Sequence, residues 1–265
     1  KLELGKLLER SSKERRIMVV NADDPHGIKF MKLSVEEVVP FHMSHAEPFQ
    51  TTESGIDFTF DGVRIVSPLR GEFMIKNALA AATFAKSQGI SANTIKIGIE
   101  NVRTISGRVE FIKIKPEQDF DVVVDYAHTA ESLEALYQAF PNQKKICVLG
   151  NTGGGRDTWK RPLMGQIADE HCDEVILANE DPYDEDPQAI VDAMAAGMKR
   201  TPRIIMDRRE AIRTALSLAR PGDAVLITGK GTDPFIMEAS DTKTPWSDAQ
   251  VVREELEKLN TSAVS

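Results

Sequence analysis

The chain is short of the features that would tie it to a membrane or to nucleic acid. No apolar run approaches the roughly 20 residues needed to cross a bilayer, and no signal-peptide pattern opens it. There is no basic surplus: 33 Lys and Arg stand against 41 Asp and Glu, a net charge of −8, which argues against a general nucleic-acid binder. Cysteine is scarce. Cys147 and Cys172 read as lone thiols in apolar settings, so a reducing, cytoplasmic compartment is expected. Neither the dinucleotide fingerprint GxGxxG nor a GxxxxGK[ST] phosphate loop occurs in the 265 residues. An initiating Met is also missing. The first residue, Lys1, falls inside a helix-like pattern, and the sequence reads as the back part of a longer chain.

What is present fits a folded α/β protein, with 41% hydrophobic and 28% charged residues. Leu2, Leu4, Leu7 and Leu8 share one helical face, and Ile17–Val20 is a short buried-strand run. Residues 38–66 alternate apolar and polar, with turn signals at Ser54-Gly55 and Asp61-Gly62. They predict short strands and a hairpin of Ile56–Phe60 with Val63–Val66. The Ala-rich stretch from Phe73 to Ser87 predicts a helix stopped by Gly89, and a polar helix follows over about 91–101.

After Gly107-Arg108 the rhythm changes. Apolar runs at Val122–Val124, Ile146–Leu149, Val175–Leu177, Ile204–Met206 and Ala224–Thr228 alternate with helical patterns at about 130–139, 161–171, 187–199 and 208–219. That alternation predicts a mostly parallel, Rossmann-like sheet with crossover helices. The tail after Leu259 reads as disordered. Charge changes at the same point: residues 1–106 hold 14 basic and 13 acidic side chains, residues 107–265 hold 19 and 28. Two domains are expected, 1–106 and 107–265.

The unusual residues lie in strand-end loops, where open α/β sheets bind ligands. Gly150 to Asp157 contains three consecutive glycines before a helix, a place where backbone can approach an anion, and Arg156, Lys160 and Arg161 add carboxylate- or phosphate-matching charge. Asp125 ends an apolar strand, suited to ribose hydroxyls or to capping the next helix, although Thr129 and Ser132 are nearer candidates for the cap. His128 is a nucleotide contact or a structural histidine. Glu180 and Asp181 stand at another strand end, able to hold a cationic group, while Asp184 to Asp186 match a helix dipole. Gly229-Lys230-Gly231-Thr232-Asp233 follows the last long strand, and its glycines imply close approach to the backbone. His42-x-x-His45 lies off any periodic element and reads as no metal site.

Together these segments resemble the Mur ligase family, within it the branch that adds the third amino acid to the peptidoglycan precursor. Val19 to Pro25 resembles a strand-turn of its ATP-binding domain, and Asn77-Ala78-Leu79-Ala80-Ala81 an adenine-facing helix start. Gly107-Arg108-x-Glu110 resembles its GRxE, Val124 to Leu133 its DYAHTPxSL, Arg156 to Met164 its RDxxKRPxM, and Gly229-Lys230-Gly231 its GKGHE loop. The fold implied is the remnant of a central ATP-binding domain followed by a complete Rossmann-like C-terminal domain.

The resemblance implies an ATP- and magnesium-dependent acid–amino-acid ligase. The carboxylate of UDP-MurNAc-L-Ala-D-Glu becomes an acyl phosphate, and the amine of a free amino acid displaces the phosphate. Asn77 would meet adenine, Asp125 the ribose, Arg108 the phosphates, with His128 nearby. Arg156, Arg161, Glu180, Asp181, Gly229 and Asp233 would surround the amino acid. Lys1 aligns with the family's carbamylated magnesium-site lysine.

Several departures stand out. The phosphate loop and the UDP-binding domain precede everything found here, so no turnover is expected from residues 1–265 alone. Met74 stands where an adenine-side Asn is expected, Gly155 replaces an Asp, and Thr232-Asp233 replaces His-Glu. The diaminopimelate-adding enzymes read DNPR, whereas this chain reads Glu180-Asp181-Pro182-Tyr183. Without that Arg, an acid-rich pocket suits a substrate ending in an ammonium group alone, such as lysine. The competing readings are another ligase of the superfamily, such as a folylpolyglutamate synthase-like enzyme, and a non-catalytic nucleotide-binding α/β module.

Overall fold

A computed structural model describes residues 2–262 and separates two compact units, Lys1–Arg103 and Thr104–Ser265. The first contains α1 (Leu2–Glu9), β1 (Ile17–Asn21), α2 (Gly27–Met31), β2 (Glu37–Phe41), β3 (Phe49–Thr52), β4 (Gly55–Phe60), β5 (Val63–Ser67), α3 (Glu72–Ser87) and α4 (Ala92–Asn101). The expected hairpin is β4–β5, extended by β3 into a three-stranded antiparallel sheet. Val38 and Val39, however, belong to β2, which pairs in parallel with β1. Short-range alternation marks a strand but says nothing of its partner.

The second unit contains β6 (Glu110–Phe111), β7 (Asp121–Asp125), α5 (Ala130–Gln138), β8 (Lys145–Leu149), α6 (Lys160–His171), β9 (Glu174–Leu177), α7 (Pro187–Ala195), β10 (Arg203–Ile204), α8 (Arg208–Leu218), β11 (Ala224–Thr228), β12 (Phe235–Met237), β13 (Lys243–Pro245) and α9 (Asp248–Ser262). Its six-stranded sheet runs β10-β9-β8-β11-β7-β6, parallel except for β6. The apolar runs are continuous because both faces are covered. Val122, Val124, Ile146, Val148, Val225 and Ile227 pack with Ile212, Leu216, Val252 and Leu256 of α8 and α9.

Local signals start the helices. Thr129 and Ser132 form a reciprocal capping box on α5, Asp186 caps α7 ahead of Pro187, and Asp207 caps α8.

Several expectations are corrected. Cys147 of β8 and Cys172 at the end of α6 are not lone thiols: they form a disulfide. Two half-cysteines 25 residues apart carry no sequence mark of their pairing, which depends on how α6 folds back onto the sheet. The chain beyond Leu259 continues as α9 through Ser262. Helix α7 stops at Ala195, and β10 is only Arg203–Ile204. Lys1 lies outside the described residues.

Candidate functional site

The order β9-β8-β11-β7 places four adjacent parallel strands side by side, so their carboxyl-end loops line one edge of the sheet. These are the loops that begin at Ala178, Gly150, Gly229 and Tyr126, in that spatial order.

At the β7 end, Asp125 is buried, and both its oxygens are in use. Oδ2 accepts from the Val109 amide at 2.8 Å and Oδ1 from the Ala127 amide at 2.7 Å. Burial raises its pKa, opposed by those two amides, Arg108 and His128. Asp125 thus ties the Gly107–Val109 segment to the sheet. Gly107 passes so close to the Gly231–Thr232 peptide that a Cβ would fall 2.6 Å from it, and its φ is +62°. The exposed Arg108 guanidinium stacks 4.4 Å from the Tyr126 ring centre. His128 edges onto the same ring at 4.7 Å, and its Nδ1 lies 2.8 Å from the Tyr126 carbonyl oxygen. Thr129, not Asp125, caps the next helix.

The loop after β8 is held by charge. Arg161 is buried, with Nη1 2.9 Å from Glu185 Oε2 and further donors on Asn151 Oδ1 and the Thr152 carbonyl. Glu185 also accepts from the Gly155 amide. Arg161 is therefore a tie between two loops. Arg156 is exposed, 5.9 Å from the Tyr183 ring.

The acidic loop after β9 divides its labour. Asp181 places both oxygens 2.8 Å from Lys230 Nζ, and Oδ1 also accepts from the Met237 amide. Lys230 is 1% exposed, so this pair is fully internal. Glu180, 3% exposed, accepts from Thr152 Oγ1 at 3.1 Å through Oε1, while Oε2 has no hydrogen-bond partner. Burial pushes its carboxyl up to about 6, although Arg208 and Lys230 pull it down. Gly229 lies directly against Oε2 with φ +107°, so the glycine makes room for this carboxylate. Asp233 is half exposed, 3.9 Å from Lys230. Tyr183 sits at φ +51°, unusual for a bulky residue, and its amide donates to the Met237 carbonyl.

Sequence reading missed three contributors. Lys230 is the internal partner of Asp181. Arg208 and Asp248, buried at 1% and 0% side-chain exposure, pair at 2.7 Å behind the site. The β12–β13 hairpin supplies Met237 to the acidic loop, and Ser240, whose amide donates to Asp184. A Lys between two glycines was visible in the sequence; its burial was not. Arg208, Lys230 and Asp181 act on the buried Glu180, while Asp248 pairs with Arg208 and Asp181 with Lys230. Among the described residues, no three His, Cys, Asp or Glu side chains are grouped to hold a metal ion. His42 instead contacts Asp23 at 2.8 Å in the first unit. Asn77 is exposed on α3, in that same unit.

A mostly parallel sheet with crossover helices and charged loops at its carboxyl edge gives the second unit a Rossmann-like architecture. Residues 107–231 match the family described as Mur ligase, glutamate ligase domain, and the chain belongs to the Mur ligase family. It is 37% identical over 272 residues to the UDP-N-acetylmuramyl-tripeptide synthetase of Roseiflexus sp. (strain RS-1), covering 93% of this chain and 52% of that protein. It is 35% identical over 270 residues to the UDP-N-acetylmuramoyl-L-alanyl-D-glutamate–2,6-diaminopimelate ligase of Syntrophomonas wolfei subsp. wolfei, covering 96% and 54%. The chain thus spans about half the length of the curated relatives it matches. Among solved structures it resembles a ligase of the latter name (TM-score 0.58, 25% identity, 98% of this chain and 55% of that one). MurF from Acinetobacter baumannii shares the fold (TM-score 0.69, 16% identity, 94% and 53%).

Proposed function

We propose that this chain supplies the amino-acid-receiving part of an ATP-dependent acid–amino-acid ligase of peptidoglycan synthesis, acting in the cytoplasm on UDP-MurNAc-L-Ala-D-Glu. The first unit is read as part of the central ATP-binding domain, and residues 107–265 as the domain that presents the amino acid. No helix among the described residues is long and apolar enough to cross a membrane.

ATP supplies the phosphoryl group that turns the substrate carboxylate into an acyl phosphate. The exposed Arg108, its guanidinium carbon 4.4 Å over the Tyr126 ring, suits phosphate oxygens, and a guanidinium held over a ring needs less reordering to bind. Asp125 keeps a second lone pair on each oxygen for ribose hydroxyls while it orders the Arg108 segment. Asn77 is assigned to adenine and His128 to the same nucleotide. The described residues bring no three His, Cys, Asp or Glu side chains together as a donor set for magnesium.

The amino acid's carboxylate is assigned to Arg156, which is exposed, with Arg161 holding the loop beneath it. Its far ammonium group is assigned to Glu180. The unpartnered Oε2 of that buried carboxylate is the observation that carries this reading. Asp181 contributes by neutralising Lys230, and Asp233 lines the rim. The amine that attacks must be neutral, and binding it beside the activated carbonyl is the main gain in rate, since nucleophile and electrophile then react within one complex. Tyr183 offers no cation for a second carboxylate, so an amino acid ending in an ammonium group alone, such as L-lysine, is preferred. Phosphate release by the full-length ligase with L-lysine and with meso-diaminopimelate tests this. Faster turnover with lysine is expected, and a preference for diaminopimelate would overturn the assignment.

A further inference from the structure

We propose that Arg208 is a positioning residue of the amino-acid pocket: anchored by Asp248, it holds the Thr228–Gly229 peptide against which the Glu180 carboxylate rests, and so fixes the acid that receives the incoming ammonium group. This rests on the assignment of Glu180 above.

Arg208 opens α8 immediately after its capping residue Asp207, and it is 3% exposed. A guanidinium so buried is costly unless its donors are satisfied. Nε lies 2.9 Å from Asp248 Oδ1, Nη2 2.7 Å from Asp248 Oδ2, and Nη2 also donates to the Thr228 carbonyl at 2.8 Å. Asp248, at the start of α9, is fixed in turn by the Trp246 indole N–H at 2.8 Å. As a structural ion pair this arrangement is sufficient by itself, yet Nη1 has no partner.

Among the described residues, three buried side-chain atoms lack a partner, and Glu180 Oε2 is another of them. Both groups border the same peptide. Arg208 binds the Thr228 carbonyl, and Oε2 rests against the Cα of Gly229. Two buried, oppositely charged groups with open valences beside one peptide are what a ligand-completed site requires.

The groups acting on Glu180 come from every neighbouring element: Arg208 from α8, Lys230 from the loop after β11, Asp181 from its own loop, and the Thr152 hydroxyl from the loop after β8. Lys230 is already matched by Asp181. Arg208 is the largest influence opposing the upward push of burial on Glu180. Loss of Arg208 would push the Glu180 carboxyl further up and weaken its attraction for an ammonium group.

The test is the KM for the amino acid as a function of pH in the full-length ligase, for wild type, E180Q, D248N and R208Q/D248N. The double variant removes both members of the charge pair, so neither Arg208 nor Asp248 is left buried without its partner. Its acid limb should move up by about one pH unit, with kcat at saturation changed less than about twofold. In D248N the competing carboxylate is gone and Arg208 remains, so the limb should move the opposite way. A merely structural role would not produce shifts of opposite sign. E180Q should raise KM at least about tenfold. If E180Q has no effect on KM, the assignment of Glu180 falls and this inference with it. If E180Q raises KM while both Asp248 variants keep the wild-type limb, only the inference is overturned. Should R208Q/D248N not fold, an unmoved or upward-moving limb in D248N overturns it equally.

Discussion

Gly229 and Glu180 are in direct contact: the bare Cα of the glycine lies against Oε2 of the buried carboxylate, and a methyl group there would overlap that oxygen. The backbone at Gly229 has φ +107°, which side-chain-bearing residues rarely adopt. Gly229→Ala should therefore lose about 2–3 kcal/mol of stability, from backbone strain and displacement of Glu180 together. The same substitution should raise the KM for the amino acid in the full-length ligase. Adding Glu180→Ala removes the overlap but not the strain, so the double variant should recover part of the stability and none of the affinity. Denaturant midpoints and KM measured side by side check this. A Gly229→Ala protein with wild-type midpoint and KM would show that the contact does not matter.

That contact shows where sequence reading stops. The glycines of the Gly229–Gly231 loop announce a close approach of something to the backbone. What approaches Gly229 is a carboxylate 49 residues earlier in the chain, brought there by the β9-β8-β11 strand order. Strands β7 to β11 and helices α5 to α8 were readable because continuous apolar runs alternating with helical patterns leave few other folds, whereas the short β6, β12 and β13 and the polar-faced α9 were not seen. The fourfold loop convergence followed from that reading. Pairing of charges was not readable. Asp181 and Arg161 carry the right chemistry for a ligand, but the fold spends them on Lys230 and Glu185. Arg208 and Asp248 sit in helix starts whose acidic and basic residues look like ordinary first-turn charges until their burial is seen. Strand β2 shows the same limit: its composition marked it, but only tertiary packing paired it with β1.

Two carboxylates of the second unit should pull stability in opposite directions with pH. Glu180 is pushed up to about 6 by burial, above the ordinary glutamate value of 4.5. Folding therefore favours its protonated form, and its relative contribution is largest below about 4.5 and lost as pH rises through 6. Glu255 is held down at about 2: burial would raise it, but Arg213, Lys258 and Arg209 outweigh that. Its contribution is present above about 4.5 and lost as pH falls toward 2. Compared with wild type, Glu255→Gln should be less stable at pH 7 by about 1–2 kcal/mol, discounted for the solvent around its partly exposed arginines. The difference should vanish toward pH 2. Glu180→Gln should instead gain on wild type as pH rises from 4.5 to 7. Chemical denaturation of each variant across this range is the measurement, and parallel pH curves for the three proteins would refute the assignments.

The disulfide between Cys147 and Cys172 joins the middle of β8 to the end of α6, and so closes the segment that carries Gly150 to Asp157, Lys160 and Arg161. A crosslink with a sequence separation of 25 residues restricts the unfolded chain, an effect worth about 3–4 kcal/mol in the loop-entropy description. Protein unfolded without reductant should show no titratable thiol, and two after reduction. Reduction should also lower the melting temperature and speed amide exchange over residues 150–160, because the loop then hangs on the Arg161–Glu185 ion pair and its neighbouring hydrogen bonds. Such a crosslink is uncommon in a reducing compartment. The proposed cytoplasmic setting therefore makes the thiol count informative, with both sulfurs buried and shielded from solvent reductant while the domain stays folded. Two reactive thiols in protein unfolded without reductant would show the bond to be absent, and the loop would then rest on the Arg161–Glu185 pair and the hydrogen bonds of Thr152, Gly153 and Gly155.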